Sequence, residues 1–268
     1  QLTIDLRIQY LAYRALKRAV DEANASSGSL VLADVETGDI LAIVNEPAFN
    51  PNNRAQFKPA RLRNRAVIDL MEPGSTVKPF TMVAALESGK FSPSTRIDTS
   101  PGHFRVGRKT YLDPVNYGVV DLTKIITKSS QVGMTKVALA LDGNDIRSVF
   151  YRLGLGQSTG TGFPGEGSGV LPSPRHWKDI EKVTLAFGYS LSVTPLQLLQ
   201  AYSTLGSGGI KRPLRILNDG PLLEGERVIN KLAAGQVLDM LKTVAQQGGT
   251  AQKASIPAYS FSGKTGTV

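Results

Sequence analysis

An amphipathic pattern opens the chain. Apolar residues recur at three- and four-residue spacing from Ile8 to Val20, and Arg7, Arg14 and Lys17 fall on the opposite face. Because this spacing matches the period of an α-helix, it predicts an opening helix that buries one side.

Two short apolar runs follow, at residues 29–35 and 40–44, with Glu36, Thr37, Gly38 and Asp39 between them. Apolar runs on either side of a short polar segment with glycine are typical of a β-hairpin. The sheet is therefore expected to be at least partly antiparallel. The tail, residues 259–268, also has the composition of a strand.

The middle of the chain has helical patterns and loops. We predict helices at residues 76–86, 119–140 (two short helices), 195–205 and around 237–244, and loops at 91–117 and 154–174. Ser75 lies at the start of the first of these helices, and Ser129 to Gln131 interrupt the second pattern. With strands at both ends, the predicted fold class is α+β, an antiparallel sheet flanked by helices with an inserted helical subdomain.

The predicted organisation is a single domain over residues 1–268. Its sheet subdomain is expected at about 1–70 and 206–268, and its mainly helical subdomain at about 71–205. The uncharged stretch at 183–210 is rich in Ser, Thr, Gln, Gly and Pro, so it does not read as a membrane span.

Composition excludes several classes of site. The chain has no cysteine and only two histidines, His103 and His176, without the spacing of metal ligands. We therefore expect no metal, no cofactor and no Ser-His-Asp triad. The formal charge of +9 favours anionic partners, but the basic residues are scattered and lack an aromatic-basic motif, so nucleic acid is not expected as a partner.

Ser75 and Lys78 are the first residues that suggest chemistry. They stand three positions apart at a predicted helix start, so both side chains share one face. Ser-x-x-Lys is the minimal unit of a serine nucleophile activated by a lysine, and the positive end of the helix favours an oxyanion there. The motif alone is weak, because it arises by chance and Lys78 would usually be a solvated surface charge.

Two further segments strengthen this interpretation. Ser129 and Gln131 form Ser-x-amide at the break between two predicted helices, and Lys264-Thr265-Gly266 lies near the end of the chain. The ordered set Ser-x-x-Lys, Ser-x-amide and Lys-Thr-Gly is typical of the penicillin-recognising serine acyltransferases.

The chain resembles the class B penicillin-binding proteins, and within them the division-specific type, penicillin-binding protein 3. The resemblance extends over the whole chain and is strongest in four segments: Pro73-Gly74-Ser75-Thr76-Val77-Lys78-Pro79, Asn50-Pro51-Asn52-Asn53, Gly162-Phe163-Pro164-Gly165-Glu166 and Gly188-Tyr189-Ser190-Leu191-Ser192-Val193-Thr194-Pro195. It implies the penicillin-binding protein and β-lactamase type of fold. It also implies a D,D-transpeptidase that cross-links septal peptidoglycan and is acylated by β-lactams.

The resemblance also implies roles for single residues. Ser75 would be the nucleophile, Lys78 its general base and Ser129 the proton shuttle to the leaving group. Lys264 would hold the substrate carboxylate, and its charge together with burial would lower the pKa of Lys78. The substrate-binding residues would be Gln131, Thr265, Gly266 and Thr267. The N–H groups of Ser75 and Thr267 would form the oxyanion hole, and the segment from Thr265 would pair with an extended peptide.

Two departures from the family pattern stand out. Gln131 replaces the usual Asn, which keeps the amide but moves it outward by one methylene. The sequence ends at Val268, directly after the Lys-Thr-Gly segment, so we expect the family's last strands to be missing. The family's membrane anchor and N-terminal non-catalytic domain are also expected to be absent.

The expected partners are peptidoglycan stem peptides and β-lactam antibiotics, with divisome membrane proteins and a glycosyltransferase as partners of a full-length protein. The expected location is the periplasmic face of the bacterial inner membrane. A β-lactamase, a D,D-carboxypeptidase and a non-enzymatic β-lactam sensor remain as alternatives. A P-loop ATPase is excluded because Ala258 stands where its first Gly is needed, and an α/β-hydrolase because no Gly-x-Ser-x-Gly occurs.

Overall fold

The computed structural model describes residues 1–267 and, within them, every side chain except that of Gln56. The α-helices are α1 (Leu6–Glu22), α2 (Pro59–Leu62), α3 (Arg65–Ile68), α4 (Lys78–Glu87), α5 (Leu122–Lys128), α6 (Gln131–Ala140), α7 (Gly143–Arg152), α8 (Asp179–Ala186), α9 (Pro195–Gly206) and α10 (Lys231–Val244). The strands are β1 (Gly28–Ala33), β2 (Ile40–Glu46), β3 (Ile97–Asp98), β4 (His103–Val106), β5 (Lys109–Leu112), β6 (Val119–Val120), β7 (Ile210–Lys211) and β8 (Glu226–Arg227). Short 3-10 turns lie at Arg54–Gln56, Gly74–Val77 and Gln252–Ala254.

The mixture of helices and antiparallel strands confirms the predicted α+β class. The described strands form four two-stranded antiparallel sheets, which pair β1 with β2, β3 with β6, β4 with β5, and β7 with β8. In the first of them Gly28 pairs with Glu46 and Leu30 with Val44, so the hairpin predicted early in the chain is confirmed.

The strand predicted at residues 259–268 is wrong for its described part, and Val268 lies outside the described residues. No strand is assigned at 259–267. The backbone N–H groups of Tyr259 and Gly263 donate to Ile256 and Leu241, which belong to a turn and to α10 rather than to a strand. A β-strand requires a neighbouring strand for its hydrogen bonds, and this segment has none within the described chain.

The loop predicted at residues 91–117 is also wrong in part, because β3, β4 and β5 lie inside it. In β4 and β5 most side chains are partly or fully exposed, and only Val106 and Tyr111 are buried. The alternation of apolar and polar residues that reveals a strand is therefore too weak to detect in this sequence.

The chain divides into two compact units, of which the first comprises Gln1–Met71, Gly154–Val170 and Val193–Arg227. In this unit α1 packs against β1 and β2, and Ala12 faces Ala42 and Val44. The side-chain amide of Gln9 both donates to and accepts from the backbone of Ile43, at 2.8 Å each, which satisfies polar groups at the edge of β2.

The second unit comprises Glu72–Leu153, Leu171–Ser192 and Val228–Val268. At its centre is α4, which contacts α5, α6, α7 and α10. Eight of the ten residues of α4, Lys78 to Ala85, are buried, and all but Lys78 and Thr81 among them are apolar. A helix that is apolar on nearly every side is stable only when neighbours surround it, which explains why its first residue, Lys78, is buried as well.

No helix within residues 1–267 combines the length and the apolar character needed to cross a membrane. The longest of them, α1, has 17 residues, and its exposed face carries several charged side chains. The boundaries of the two units differ from those of the predicted subdomains, and the single-domain organisation stays a prediction.

Candidate active site

Ser75 lies in the 3-10 turn Gly74–Val77, directly before α4. The turn is closed by the N–H of Lys78, which donates to the carbonyl of Ser75. Ser75 itself is partly exposed, and within the described residues its hydroxyl has no hydrogen-bond partner. The serine is therefore placed at a helix start, as predicted, with its oxygen accessible.

A close approach of two glycines fixes this turn. The N–H of Gly74 donates to the carbonyl of Gly188 at 3.1 Å. Gly188 has a φ of +83°, and a Cβ there would lie 2.1 Å from the carbonyl oxygen of Gly74. Only glycine fits at position 188, because any larger residue would displace the segment that carries Ser75.

Lys78 is buried at the first position of α4, with 1% of its surface exposed. Its Nζ donates to the carbonyl of Ser129 at 2.9 Å and to the Ser129 hydroxyl at 3.3 Å. The ring of Phe187 lies 4.9 Å from the same Nζ. No hydrogen bond joins Lys78 Nζ to the hydroxyl of Ser75 within the described chain, so the side-chain amine is linked directly to Ser129 and not to Ser75.

Burial and the nearby ammonium of Lys264 lower the pKa of Lys78 from 10.5 to about 7, while the carboxylate of Asp113 acts in the opposite direction. Burial also lowers the pKa of Lys264, to about 8. Removing water disfavours the charged form of each amine, and at Lys78 the positive charge of Lys264 disfavours it further. The shift at Lys78 has the direction and the causes expected from the sequence.

Ser129 links the two lysines. Its hydroxyl accepts from Lys264 Nζ at 2.9 Å and from Lys78 Nζ at 3.3 Å. Ser129 follows α5 with a left-handed backbone, at φ 54° and ψ 35°, and this turn aims its side chain between the amines. A hydroxyl offers two acceptor positions and one donor, so the hydrogen of Ser129 is left to donate elsewhere.

The Lys-Thr-Gly segment runs beside the turn that carries Ser75. A Cβ at Gly266 would lie 2.6 Å from the side chain of Thr76 and 3.4 Å from the carbonyl of Pro73, so a side chain there would clash with the turn. The segment is fixed by its own contacts as well, because Thr265 Oγ1 lies 2.8 Å from Thr250 Oγ1. Lys264 Nζ also donates to the carbonyl of Thr265, at 2.8 Å.

The remaining predicted residues lie at the margin of this cluster. The carbonyl of Thr267 accepts from the hydroxyl of Tyr189 at 3.5 Å. Gln131 is exposed, and its side chain makes no hydrogen bond within the described residues. Its backbone N–H donates to Asp113 at 2.6 Å. The structure therefore joins Ser129, Lys78 and Lys264 directly, and leaves the Gln131 amide open to solvent.

Asp113, Phe187 and Gly188 are parts of this cluster that are not predicted from the sequence. Asp113 precedes Pro114 at the end of β5, and Asp-Pro after an apolar position is a signal for a turn but not for a site. Nothing in the local sequence shows that this turn meets the start of α6. Within residues 1–267, no group of three histidines or carboxylates is arranged to hold a metal ion.

Comparison with known proteins gives the same family as the sequence motifs. The model of the penicillin binding protein transpeptidase domain matches residues 28–268. The chain is 43% identical, over 99% of its length, to the peptidoglycan D,D-transpeptidase FtsI of Escherichia coli, of which it covers 45%. It is 41% identical, again over 99%, to the probable peptidoglycan D,D-transpeptidase PbpC of Pseudomonas aeruginosa, of which it covers 47%. The chain thus spans about half the length of these curated relatives.

Solved structures agree with this result. The transpeptidase domain of penicillin-binding protein 3 from Burkholderia pseudomallei superimposes with a TM-score of 0.89 at 36% identity, over 99% of this chain and 76% of that one. A peptidoglycan glycosyltransferase from Burkholderia ambifaria gives a TM-score of 0.90 at 36% identity, over 99% and 81%. On the matched family model and on these relatives, the chain belongs to the penicillin-binding protein transpeptidase domain family.

Proposed function

We propose that the chain is the catalytic domain of a peptidoglycan D,D-transpeptidase, which cross-links stem peptides through an acyl-serine on Ser75. The observation that carries the proposal is the buried amine of Lys78, whose pKa is lowered to about 7. A lysine can act as a general base at neutral pH only when its pKa is lowered in this way. Membership of the family supports the substrate class.

In the proposed acylation, Ser75 Oγ attacks the scissile carbonyl of a donor stem peptide. The new Oγ–C bond forms as the serine proton passes to neutral Lys78, and the C–N bond breaks as the leaving amine takes a proton. Ser129 is suited to deliver that proton, because its hydroxyl accepts from Lys78 Nζ and keeps its own hydrogen for donation. The leaving group departs as a neutral amine.

Two further groups stabilise the substrate and the transition state in this proposal. The ammonium of Lys264, 2.9 Å from Ser129 Oγ, is placed to attract the carboxylate of the donor peptide. The N–H groups of Ser75 and Thr267 are proposed as the oxyanion hole, because the Lys-Thr-Gly segment lies against the Ser75 turn at Gly266. The amine of a second stem peptide then attacks the acyl-serine, and the protons return along the same path.

Residues 265–267 and Gln131 are the proposed binding surface for the substrate. Residues 265–267 have no partner strand in the described chain, so an extended stem peptide or β-lactam can add backbone hydrogen bonds there. The Gln131 amide is exposed and is proposed to bind the substrate amide.

The first test is covalent labelling. We expect incubation with a penicillin to add one equivalent of the intact antibiotic to the protein, on the peptide that contains Ser75, because a β-lactam ring opens on the same nucleophile. Intact-mass spectrometry followed by peptide mapping measures the adduct. Ser75→Ala is expected to abolish it, and Ser190→Ala, at another serine of the same unit, to leave it unchanged.

A folded protein that forms no adduct, or an adduct that survives Ser75→Ala, would contradict the proposed function. When an adduct does form on Ser75, the rate of its loss and the fate of the donor peptide distinguish a transpeptidase from the alternative functions. Slow loss of the adduct favours a transpeptidase over a β-lactamase, and transfer of a donor peptide to an acceptor amine rather than to water separates it from a D,D-carboxypeptidase. Acylation without any turnover of peptide donors would indicate a β-lactam sensor.

One observation weighs against the β-lactamase. Glu166, the carboxylate of the Gly- and Pro-rich loop, accepts from Thr159 through its backbone N–H and hydroxyl, and from the Thr161 hydroxyl. These hydrogen bonds hold the carboxylate within its own loop and support a structural role for Glu166 rather than that of a base that activates water.

The cellular setting is proposed from the family. We place the chain in a single transpeptidase domain that acts on septal peptidoglycan at the periplasmic face of the bacterial inner membrane. Divisome membrane proteins and a glycosyltransferase are the proposed partners of the full-length protein. Stem peptides and β-lactam antibiotics are the proposed ligands of the site.

A further inference from the structure

Asp113 follows β5 and places its carboxylate across the start of α6. One oxygen, Oδ2, accepts from the hydroxyl of Ser130 at 2.6 Å. The other, Oδ1, accepts from the backbone N–H groups of Gln131 at 2.6 Å and Val132 at 3.3 Å. The backbone N–H of Asp113 donates to the carbonyl of Gly102, which ties the carboxylate to the β4–β5 hairpin.

These contacts lock the break between α5 and α6 from both sides. Ser130 donates its hydroxyl to Asp113, accepts on the same oxygen from the N–H of Gly133 at 2.9 Å, and donates its own N–H to Ile125. The preceding residue, Ser129, has a left-handed backbone that residues other than glycine rarely adopt. Such a conformation persists only when its surroundings hold it, and Asp113 supplies three of the hydrogen bonds at this break.

The carboxylate also affects the charge of the cluster. Its negative charge raises the pKa of Lys78, while burial and the positive charge of Lys264 lower it. Within residues 1–267, Asp113 and Lys264 are the charged groups that act on the Lys78 amine, and its other close neighbours, Ser129 and Phe187, are uncharged. The carboxylate of Asp113 therefore opposes the two effects that lower the pKa of Lys78.

We propose that Asp113 is a positioning residue of this active site, which holds the Ser129 hydroxyl between the two lysines and favours the ammonium form of Lys78 through its negative charge. The proposal rests on the proposed acyl transfer at Ser75. Asp113 acts through Ser129 and Lys78, and it forms no bond to the substrate.

The decisive variant is Asp113→Asn, because the amide has the size of the carboxylate and keeps an oxygen for the N–H groups of Gln131 and Val132. Loss of the negative charge makes the ammonium of Lys78 less favourable. We expect the pH at which the acylation rate by a penicillin is half-maximal to fall by about one unit. Stopped-flow or quenched-flow mass spectrometry over pH 5 to 9 measures this midpoint.

Asp142→Asn is the matched control. Asp142 caps α7 through the N–H of Asn144 at 2.8 Å, so it is also an aspartate at a helix start of the same unit. We expect its midpoint and rate to equal those of the original protein. Asp113→Ala removes all three hydrogen bonds at the break, and we expect it to slow acylation by about 10- to 100-fold across the whole pH range.

A second measurement does not depend on acylation. The pKa of Lys78, followed by NMR of lysine labelled with 13C at Cε, is expected to fall in Asp113→Asn by the same amount as the kinetic midpoint. If the unaltered protein is not acylated at Ser75, the proposed function fails while this titration still tests Asp113. An unchanged Lys78 titration in Asp113→Asn, or normal acylation by Asp113→Ala, would overturn the proposal for Asp113.

Discussion

The hydroxyl of Ser129 accepts hydrogen bonds from two amines, Lys78 and Lys264. Burial lowers the pKa of both amines, and the positive charge of Lys264 lowers the pKa of Lys78 further. The fraction of neutral Lys78 therefore depends on pH near 7 and on the charge at position 264. The strength of Lys78 as a base therefore depends on whether Lys264 is charged.

We expect the acylation rate of Ser75 to rise with pH around a midpoint near 7, because only neutral Lys78 accepts a proton. In Lys264→Gln the positive charge is lost, so the pKa of Lys78 increases and the midpoint moves upward by about one unit. The acylation rate at high pH, where Lys78 is fully neutral, also falls, because no ammonium remains at position 264 to attract the carboxylate of the antibiotic. The measurement is the pH profile of penicillin acylation.

Lys90→Gln provides the comparison for this variant. Lys90 is exposed and donates to the carbonyl of Ala140 at the end of α6, so its removal subtracts the same charge without touching the cluster. Its midpoint is expected to stay at that of the unaltered protein. A midpoint in Lys264→Gln at or below that value would refute the electrostatic coupling of the two lysines.

Among single residues, the sequence predicts those site residues that belong to a short local pattern in the chain. Ser75 and Lys78 are recognisable because three positions define one helix face, and Ser129 because two serines interrupt a helical pattern. Asp113 is not recognisable, since its contact with Ser130 depends on how a hairpin packs against a helix 17 residues later. Contacts of this kind follow from tertiary structure and leave no periodic signal.

The Ser75 turn depends on an approach between two segments, and this can be tested with alanine. In Gly188→Ala the new Cβ would lie 2.1 Å from the carbonyl oxygen of Gly74, at a φ of +83° that also disfavours alanine. We expect a loss of about 3 kcal/mol in the free energy of unfolding, together with slower acylation. Urea denaturation and penicillin labelling measure the two effects.

Gly235→Ala is the matched substitution in α10, where no described atom outside the neighbouring residues and the helix's own backbone lies within 4 Å of the added Cβ. Because alanine is the better helix former, this variant is expected to gain about 0.5 to 1 kcal/mol and to be acylated normally. Equal stability of the two variants would show that the Gly74–Gly188 approach is not tight in solution.

Among the elements, those with a strong period are predictable from the sequence. The opening helix α1, the two helices on either side of Ser129 and the helix α9 occur where the pattern places them. The β4–β5 hairpin does not show in the sequence, because most of its side chains are exposed. Residues 259–267 have the composition of a strand but no partner strand in the described chain. Composition alone does not show whether a partner strand is present.

The buried lysine affects the stability of the whole fold. The folded pKa of Lys78 is about 7, below its value of 10.5 in the unfolded chain, so between these values the unfolded state binds more protons. Stability therefore rises as pH increases through this interval. From pH 7 to pH 9 the contribution of Lys78 to the free energy of unfolding should increase by about 2 kcal/mol.

Lys78→Met is expected to remove this contribution, because methionine fills a similar volume without a charge. The variant should be more stable than the original protein at pH 7, and the difference should shrink by about 2 kcal/mol at pH 9. Denaturation in urea at the two pH values measures it. A stability difference that does not change with pH would show that Lys78 is not desolvated in the folded protein.

The pair of amines around Ser129 has one more consequence. With pKa values of about 7 and about 8, the two groups together carry roughly one proton in the interval between them. In the proposed reaction this pair of amines therefore acts as a small internal buffer, which accepts the proton of the attacking hydroxyl and returns it to the departing amine. The capacity of the two amines to take up and release a proton is largest near neutral pH. It is lost at lower pH, where both amines are charged, and at higher pH, where both are neutral.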